Sequence, residues 1–519
     1  MGRAIYVSSV NGDDANSGYA PEKAFRSLRK VNQMEIQPGD QILLERGSVF
    51  VGEYLHLYRG GTKEAPVVVD AYGEGALPRI ETDGNGIWYQ NYGGHLDNVV
   101  HTWKGYLSSA VLLYDAEYIS IRNLEITNNP CVKNERLNQA DRMNRTGVSV
   151  IAKNHGTLHE IELDHLYIHD VEGNIYDKHL NNGGIYMSVS RPDDEEKTGI
   201  ARYDGIHIHH CKVENCRRWG IAAGYTYQHD KFTTLELPDE VVKTYGSTNV
   251  VIEHNFVKDI GGDGITPMYC FEPLIQYNVS ENIAVDIHPD LYNEEGNRGG
   301  MTAAAIWPWK CKTALFQYNE VYNTVYNQDG QAWDADSGDG TIYQYNYSCN
   351  NGGGCVMFCE GESVNNIFRY NIKNKTELGL EAMSYTDKGE LVPDSLTNKI
   401  VKDRLAKEDC KNGWILDGYP RNAAQVTALD EMLADLDTPL DHVVALEAAR
   451  DVLLERMKKR AAEQGRADDT PEAIAKRLET YEKETAPLLD IYEARGLLVV
   501  VNGVGDIDEI SGRIISHLE

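Results

Sequence analysis

The chain has 519 residues, with 80 Asp and Glu against 50 Lys and Arg and a formal net charge of −30 at pH 7. That length favours two or more domains, and that charge argues against nucleic-acid and anionic-membrane partners, both of which reward clustered Lys and Arg. No apolar run reaches the roughly 18 residues of a membrane span. The opening Met1-Gly2-Arg3-Ala4-Ile5-Tyr6-Val7 carries no apolar signal segment, so the expectation is a cytoplasmic chain, or an extracellular one that has lost its signal. Nine cysteines, with no Cys-x-x-Cys pair, read as reduced and mostly buried thiols, and no metal site is expected from them.

Up to about residue 366 the chain is rich in Gly, Asn, Tyr and short β-branched runs, with little helical periodicity. The segment Ala4-Ile5-Tyr6-Val7-Ser8 leads into Asn11-Gly12-Asp13-Asp14-Ala15-Asn16-Ser17-Gly18, then Pro38-Gly39-Asp40-Gln41-Ile42-Leu43-Leu44-Glu45-Arg46-Gly47. Further on, a short pattern recurs: Val251-Ile252-Glu253-His254-Asn255, Leu274-Ile275-Gln276-Tyr277-Asn278, Leu315-Phe316-Gln317-Tyr318-Asn319, Ile342-Tyr343-Gln344-Tyr345-Asn346 and Ile367-Phe368-Arg369-Tyr370-Asn371. Weaker copies stand at Ile161–His165 and Ile206–His210, and several copies are followed by Gly-rich turns such as Gly261-Gly262-Asp263-Gly264-Ile265. Repeats of this kind mark a solenoid, in which each coil buries its apolar face only by stacking on the next. A recurring Asn can stack into an amide ladder, and it tolerates left-handed backbone at a turn. The opening motif resembles the right-handed parallel β-helix proteins that act on polysaccharides, the pectate-lyase-like superfamily. The resemblance spans most of residues 4–372 and implies that fold, with an oligo- or polysaccharide as partner.

One stretch is dense in carboxylates: Asp329, Asp334, Asp336 and Asp339 fall within eleven residues, with Trp333 among them. Asp334 and Asp336 are two apart and share a face on a strand, and Asp329 sits on the preceding turn. Paired carboxylates about 5–5.5 Å apart suit retaining glycoside cleavage, and Trp333 or nearby aromatics would offer a sugar-stacking platform. Ordinary turn chemistry and a calcium site stand beside that reading. The segment resembles the β-helical glycoside hydrolases that include lacto-N-biosidase, a family that uses two Asp seven residues apart. The resemblance implies Asp329 as acid/base and Asp336 as nucleophile, with swapped roles or a place for Asp334 left open. A polysaccharide lyase is the rival within the fold, with Lys310 and Lys312 as candidate cations. A glycan-binding solenoid without catalysis is a third reading. His207 and His209 share one face of their strand and His210 the other. They read as satisfied histidines, since no acidic spacing completes a ligand set.

After residue 366 the texture turns to Ala, Leu, Glu and Lys at helical spacing, so the boundary is placed between 366 and 367. Asp417-Gly418-Tyr419-Pro420-Arg421 and Gly465-Arg466-Ala467-Asp468-Asp469 are a nucleotide-kinase vocabulary, yet no Gly-Lys dipeptide, and so no phosphate loop, occurs in the sequence. Residues 367–519 resemble adenylate kinase of the short-lid bacterial type. The resemblance implies AMP contacts from Arg369, Glu390, Leu391, Val392, Gly418, Arg421 and Gln425. It implies phosphoryl-facing roles for Arg466 and Arg477, and ATP-side roles for Arg456, Arg460 and Gly505, with Asp468 and Asp469 as lid carboxylates. The phosphate loop, its helix and the first two strands of that family are absent. The expectation is therefore a partial α/β domain that retains AMP as a candidate ligand and does not use Mg-ATP, because arginines cannot replace a cradle of N–H groups. Three strands are expected in what is left, at Gly413–Asp417, His442–Leu446 and Leu497–Val501. The string Ile367–Ile372 fits the coil repeat and the kinase motif together, which points to a chimera of two genes.

Overall fold

The computed structural model describes residues 2–97, 101–130, 143–175, 177–287, 302–359, 363–373, 392–406, 410, 413–416, 418–449, 452, 481–505 and 507–518. The chain divides into two compact units, Met1–Asn374 and Lys375–Glu519. The division falls eight residues later than the texture change suggested. Ile367–Arg369 pairs with Ile342–Gln344, and Ile372–Lys373 pairs with Tyr347–Cys349, so both belong to the last coil of the first unit.

The first unit is a parallel β-helix. One face is an eleven-stranded sheet running from Ala4–Val7 to Ile367–Arg369, a second has ten strands from Val49–Val51 to Ile372–Lys373, and a third has six parallel strands, with Ile87–Asn91 added antiparallel as its seventh. Alternation along each strand puts one side chain into the coil and the next outside. In Leu274–Gln276 only Ile275 is buried, and in Leu315–Gln317 only Phe316. The inward residues merge into one core reaching from Ile5 to Tyr343. Each fully buried Ile, Val or Leu contributes about 1.5–3 kcal/mol to that stack. At its amino end the helix Leu28–Asn32 buries Leu28 and Val31 in the same core.

The repeat's Asn residues form the ladder their spacing suggested. The Nδ2 of Asn255, Asn278, Asn319 and Asn346 donates to Oδ1 of the next member at 3.0, 3.0, 3.1 and 3.0 Å, ending on Asn371. Asn278 also donates to Ile252 O at 2.9 Å and accepts from Asn255 N at 3.0 Å, so its amide is satisfied on every side. The left-handed backbone falls one residue earlier than expected: His254, Tyr277, Tyr318, Tyr345 and Tyr370 have φ of 54–56°. That conformation is costly for a bulky residue. Their rings stack face to face at 4.9–5.3 Å from coil to coil, and the Asn that follows each is left free to point inward.

The third face differs from the other two in being buried on both sides. Every residue of Gly183–Val189 and Trp219–Thr226 is buried. Outside it lies a second, aromatic core that includes Trp88, Tyr92, Tyr186, Trp219, Tyr225, Tyr269 and Trp307. Parallel strands covered on both faces lose the polar alternation that marks an exposed face. This face continues through single-residue bridges, Ile265 to Ile306 and Ile306 to Trp333, which bring Trp333–Ala335 into line with it.

The second unit holds the helices Asp394–Leu405, Ala423–Leu436, Pro487–Ala494 and Ile507–Leu518. Asn422 caps the second, its side chain accepting from Gln425 N at 2.9 Å. Two of the three expected strands form, as Val443–Glu447 and Leu498–Asn502, paired in parallel over five residues. The third does not: 413–416 are irregular, Ile415 is 94% exposed, and Asp417 lies outside the described residues. The physical reason is a lack of neighbours, since a parallel strand is stable only when hydrogen-bonded and covered on both faces, and no strand among the described residues pairs with this segment. Among the described residues no helix is long and apolar enough to cross a membrane.

Candidate active site

The carboxylate segment lies where the third face meets the turn before it. Alternation turns Trp333 inward and Asp334 outward. Trp333 is fully buried in the coil core beside Tyr343, so it cannot meet a sugar, contrary to the expectation of a stacking platform. Asp334 is 3% exposed, and its Oδ1 has no hydrogen-bond partner among the described residues. Burial, reinforced by the charges of Asp336, Asp329 and Asp263 and opposed by Lys178, pushes its carboxyl up to about 9. Asp329 is half-buried on the turn Asn327–Gly330, and burial raises it above the usual carboxylate range, against the pull of Lys178 and the Thr302 hydroxyl. Asp336 is half-buried and close enough to raise Asp334. The fold thus gathers Asp329, Asp334 and Asp336 at one place. Asp339 is drawn elsewhere. It is buried in an ion pair with Lys312, accepts from Asn365 Nδ2 at 2.9 Å and from Leu237 N at 3.0 Å, and stays charged.

Four residues that the sequence did not single out complete the place. Asp263 is fully buried. It accepts from Arg218 Nη2 at 3.0 Å, Trp307 Nε1 at 3.0 Å and Ala304 N at 3.2 Å, with Lys178 Nζ at 3.8 Å. Lys178 Nζ donates to Thr302 O at 3.3 Å and lies 5.0 Å from the Trp307 ring centre. Trp307 stacks on Trp219 at 6.4 Å, and both rings are buried in the aromatic core. Asp263 had stood in view within Gly261-Gly262-Asp263-Gly264-Ile265, but there it read as turn chemistry. Lys178 and Arg218 come from other coils, and nothing local marks them.

Beside this place, Asp97 accepts from Tyr225 Oη at 2.9 Å, Tyr269 Oη at 2.8 Å and Trp309 Nε1 at 2.7 Å. Asp97, His101 and His179 hold donor atoms within 4.8 Å of one another, as do Glu162, His207 and His209, and Asp164, His165 and His210. Of the eight described cysteines, five are buried.

The residues matched to a kinase are divided. Arg369 ends a strand of the β-helix and donates to Gln344 Oε1 at 2.9 Å, so it belongs to the first unit. Glu390, Leu391, Arg456, Arg460, Arg466, Arg477, Asp468 and Asp469 lie outside the described residues. Val392 is half-buried just before the first helix of the second unit. Gly418 has φ 67°, and its carbonyl accepts from Arg421 Nε at 2.6 Å. Gln425, the amide matched to adenine reading, is 6% exposed and already engaged: Oε1 accepts from Arg421 N at 2.7 Å and Nε2 donates to Asp394 Oδ1 at 2.7 Å. Gly505 has φ 144°.

Comparisons with known proteins fall on the same two halves. A lacto-N-biosidase of Bifidobacterium longum subsp. longum is 42% identical over 419 residues, covering 73% of this chain and 26% of that protein. The crystal structure of a GH136 lacto-N-biosidase from Eubacterium ramulus is 55% identical with a TM-score of 0.70, covering 72% of this chain and 60% of that one. The chain thus spans about a quarter of the curated lacto-N-biosidase and 60% of the crystallised one. An adenylate kinase of Bifidobacterium longum is 98% identical over 157 residues, covering 30% of this chain and 84% of that protein. The family model described as adenylate kinase matches residues 359–497. The amino-terminal unit is therefore a lacto-N-biosidase-like β-helix, and through its carboxyl-terminal segment the chain belongs to the adenylate kinase family.

Proposed function

We propose that the β-helix is a retaining glycoside hydrolase in which Asp329 is the acid/base and Asp336 the nucleophile. The observation that carries this reading is Asp334, buried with an unpartnered Oδ1 and pushed up by burial and by the charges of Asp336 and Asp329. Three carboxylates crowded near one lysine cannot all ionise. Asp334, the most buried, is pushed toward its protonated form, and the nucleophile's role is assigned to the less buried Asp336. Asp329 is raised by burial, which suits a group that must hold a proton for the leaving glycosidic oxygen. Asp336 attacks the anomeric carbon as the bond to that oxygen breaks and takes the proton of Asp329. Water, deprotonated by Asp329, then releases the sugar and frees Asp336. Asp334 offers a hydrogen bond to a sugar hydroxyl.

The substrate class follows the relatives' name: an oligosaccharide from which lacto-N-biose is released. A lyase is less well supported, because Lys312 is bound to Asp339. The test is release of lacto-N-biose from a lacto-N-bioside by the full chain and by Asp336→Asn. Full activity in that variant removes the nucleophile assignment. Binding of the oligosaccharide without turnover by the unaltered chain favours a non-catalytic solenoid.

The kinase segment is proposed to be catalytically silent and not to use Mg-ATP, because no phosphate loop is encoded and the β- and γ-phosphates have no cradle. AMP is its candidate ligand. Calorimetry with AMP and a coupled ATP/AMP assay separate binding from turnover.

A further inference from the structure

On the outer side of the eleven-stranded sheet, Thr157–Asp164 and Arg202–His209 pair in parallel, with Glu162 opposite His207 and Asp164 opposite His209. Leu163 and Ile208 between them point into the core, so these four side chains share the outer side. The sequence reading found no acidic partner for the histidines. Coil register supplies two, from about 45 residues upstream along the chain. His210, assigned by alternation to the opposite face, has φ 52°, and its Nδ1 lies 3.0 Å from that of His209.

We propose that Glu162, His207 and His209 form a binding site for a divalent transition metal of the zinc class, with one position left to water. One donor atom from each lies within 4.8 Å of the others. Glu162 Oε1 is 3.2 Å from His209 Nε2, and the two imidazole rings lie 3.9 Å apart. Ligands at zinc bond lengths of about 2.0–2.1 Å sit roughly 3.3 Å from one another, so little movement is needed.

The groups behind these three have the arrangement a metal centre uses. His209 Nδ1 is 3.0 Å from Asp164 Oδ1, and His207 Nε2 is 3.0 Å from Glu253 Oε1. A carboxylate on one ring nitrogen holds the proton there and leaves the other nitrogen's lone pair for the ion. Glu253 is itself fixed by Gln276 Nε2 at 2.7 Å, and Glu162 Oε2 accepts from Ser120 Oγ at 2.6 Å. Two imidazoles and one carboxylate favour zinc, copper or nickel over calcium or magnesium, which prefer oxygen alone. Glu162 and His207 are 39% and 41% exposed, so an ion can enter and keep a water.

The test uses the full chain stripped with a chelator, titrated with Zn²⁺ by calorimetry and with Co²⁺ by visible absorbance. One saturable equivalent is expected, with absorbance bands of low-coordinate Co²⁺. Glu162→Gln keeps the shape and the Ser120 contact, and should weaken binding at least about tenfold, as should His209→Gln. The pair His165→Gln with His210→Gln should leave it unchanged. Absence of a saturable equivalent overturns the proposal. So does unchanged affinity in Glu162→Gln with native circular dichroism, or loss of binding in the His165/His210 pair, which would place the ion on the neighbouring donor set.

Discussion

The two units of this chain differ in how completely their strands find neighbours. In the β-helix every described strand but Ile87–Asn91 finds a parallel neighbour, every Asn of the ladder finds another Asn, and the core runs without a break from the first coil to Tyr343. In the kinase unit the sheet among the described residues is two strands, Ile415 stands 94% exposed, and the apolar residues collect in two small clusters, around Leu429 and around Leu488. The contrast shows what a repeat architecture tolerates. Each coil depends only on its neighbours, whereas a doubly covered parallel sheet depends on its central strand.

That contrast can be broken or sharpened by experiment. The largest expected effect is on phosphoryl transfer. Against a complete adenylate kinase, turnover should fall by far more than the roughly 10²–10³ that one lost donor costs, as a coupled assay reads directly. Ordinary kinase rates would mean that some other group cradles the phosphates. Next, Asp336→Asn and Asp329→Asn should each lower oligosaccharide cleavage by about 10²–10⁴, read as sugar released.

Asn278→Leu should cost about 1–3 kcal/mol for each polar group it strands, among them Asn255 N, Asn255 Nδ2 and Ile252 O. The β-helix transition in a thermal scan should drop accordingly. A transition that stays in place would show the ladder to be decorative.

Asp334 gives a pH-dependent test. Its folded value of about 9 is raised above the unfolded value near 4. Its contribution to stability is therefore complete below about pH 4 and is lost as pH rises through about 9. Between about pH 6 and pH 9 the β-helix should lose thermal stability, and Asp334→Asn should flatten that slope. The smallest effect belongs to the exposed strand residue Leu446, 55% exposed. Leu446→Lys should change stability by no more than about 0.5 kcal/mol while reducing aggregation measured by light scattering.

Much of the first unit could be read without coordinates. The five copies ending in Asn255, Asn278, Asn319, Asn346 and Asn371 announced the coil, the ladder and its length, because alternation and turn chemistry act over a few residues. Their preceding His or Tyr, not the Asn, took the left-handed turn, since the ladder needs the Asn side chain pointing inward. The cluster Asp329, Asp334 and Asp336 was legible for the same local reason, and Trp333 was misplaced because its face depends on which way the strand enters the sheet. Asp263, Lys178 and Arg218 were not legible, since they reach the site from coils 66, 151 and 111 residues before Asp329 in sequence.

By itself the amino-acid sequence determined that stacked coils come first, that a kinase segment without a phosphate loop comes last, and which short stretch carries crowded carboxylates. Those are properties of neighbouring residues and of residues that are missing. Only the tertiary structure decided which carboxyl is the most buried, which acids face His207 and His209, that Arg369 belongs to a coil, and that 413–416 form no strand. Each of these depends on register between distant coils or on the presence of a neighbouring strand. Insertions of variable length between repeats set that register, and no local pattern encodes it.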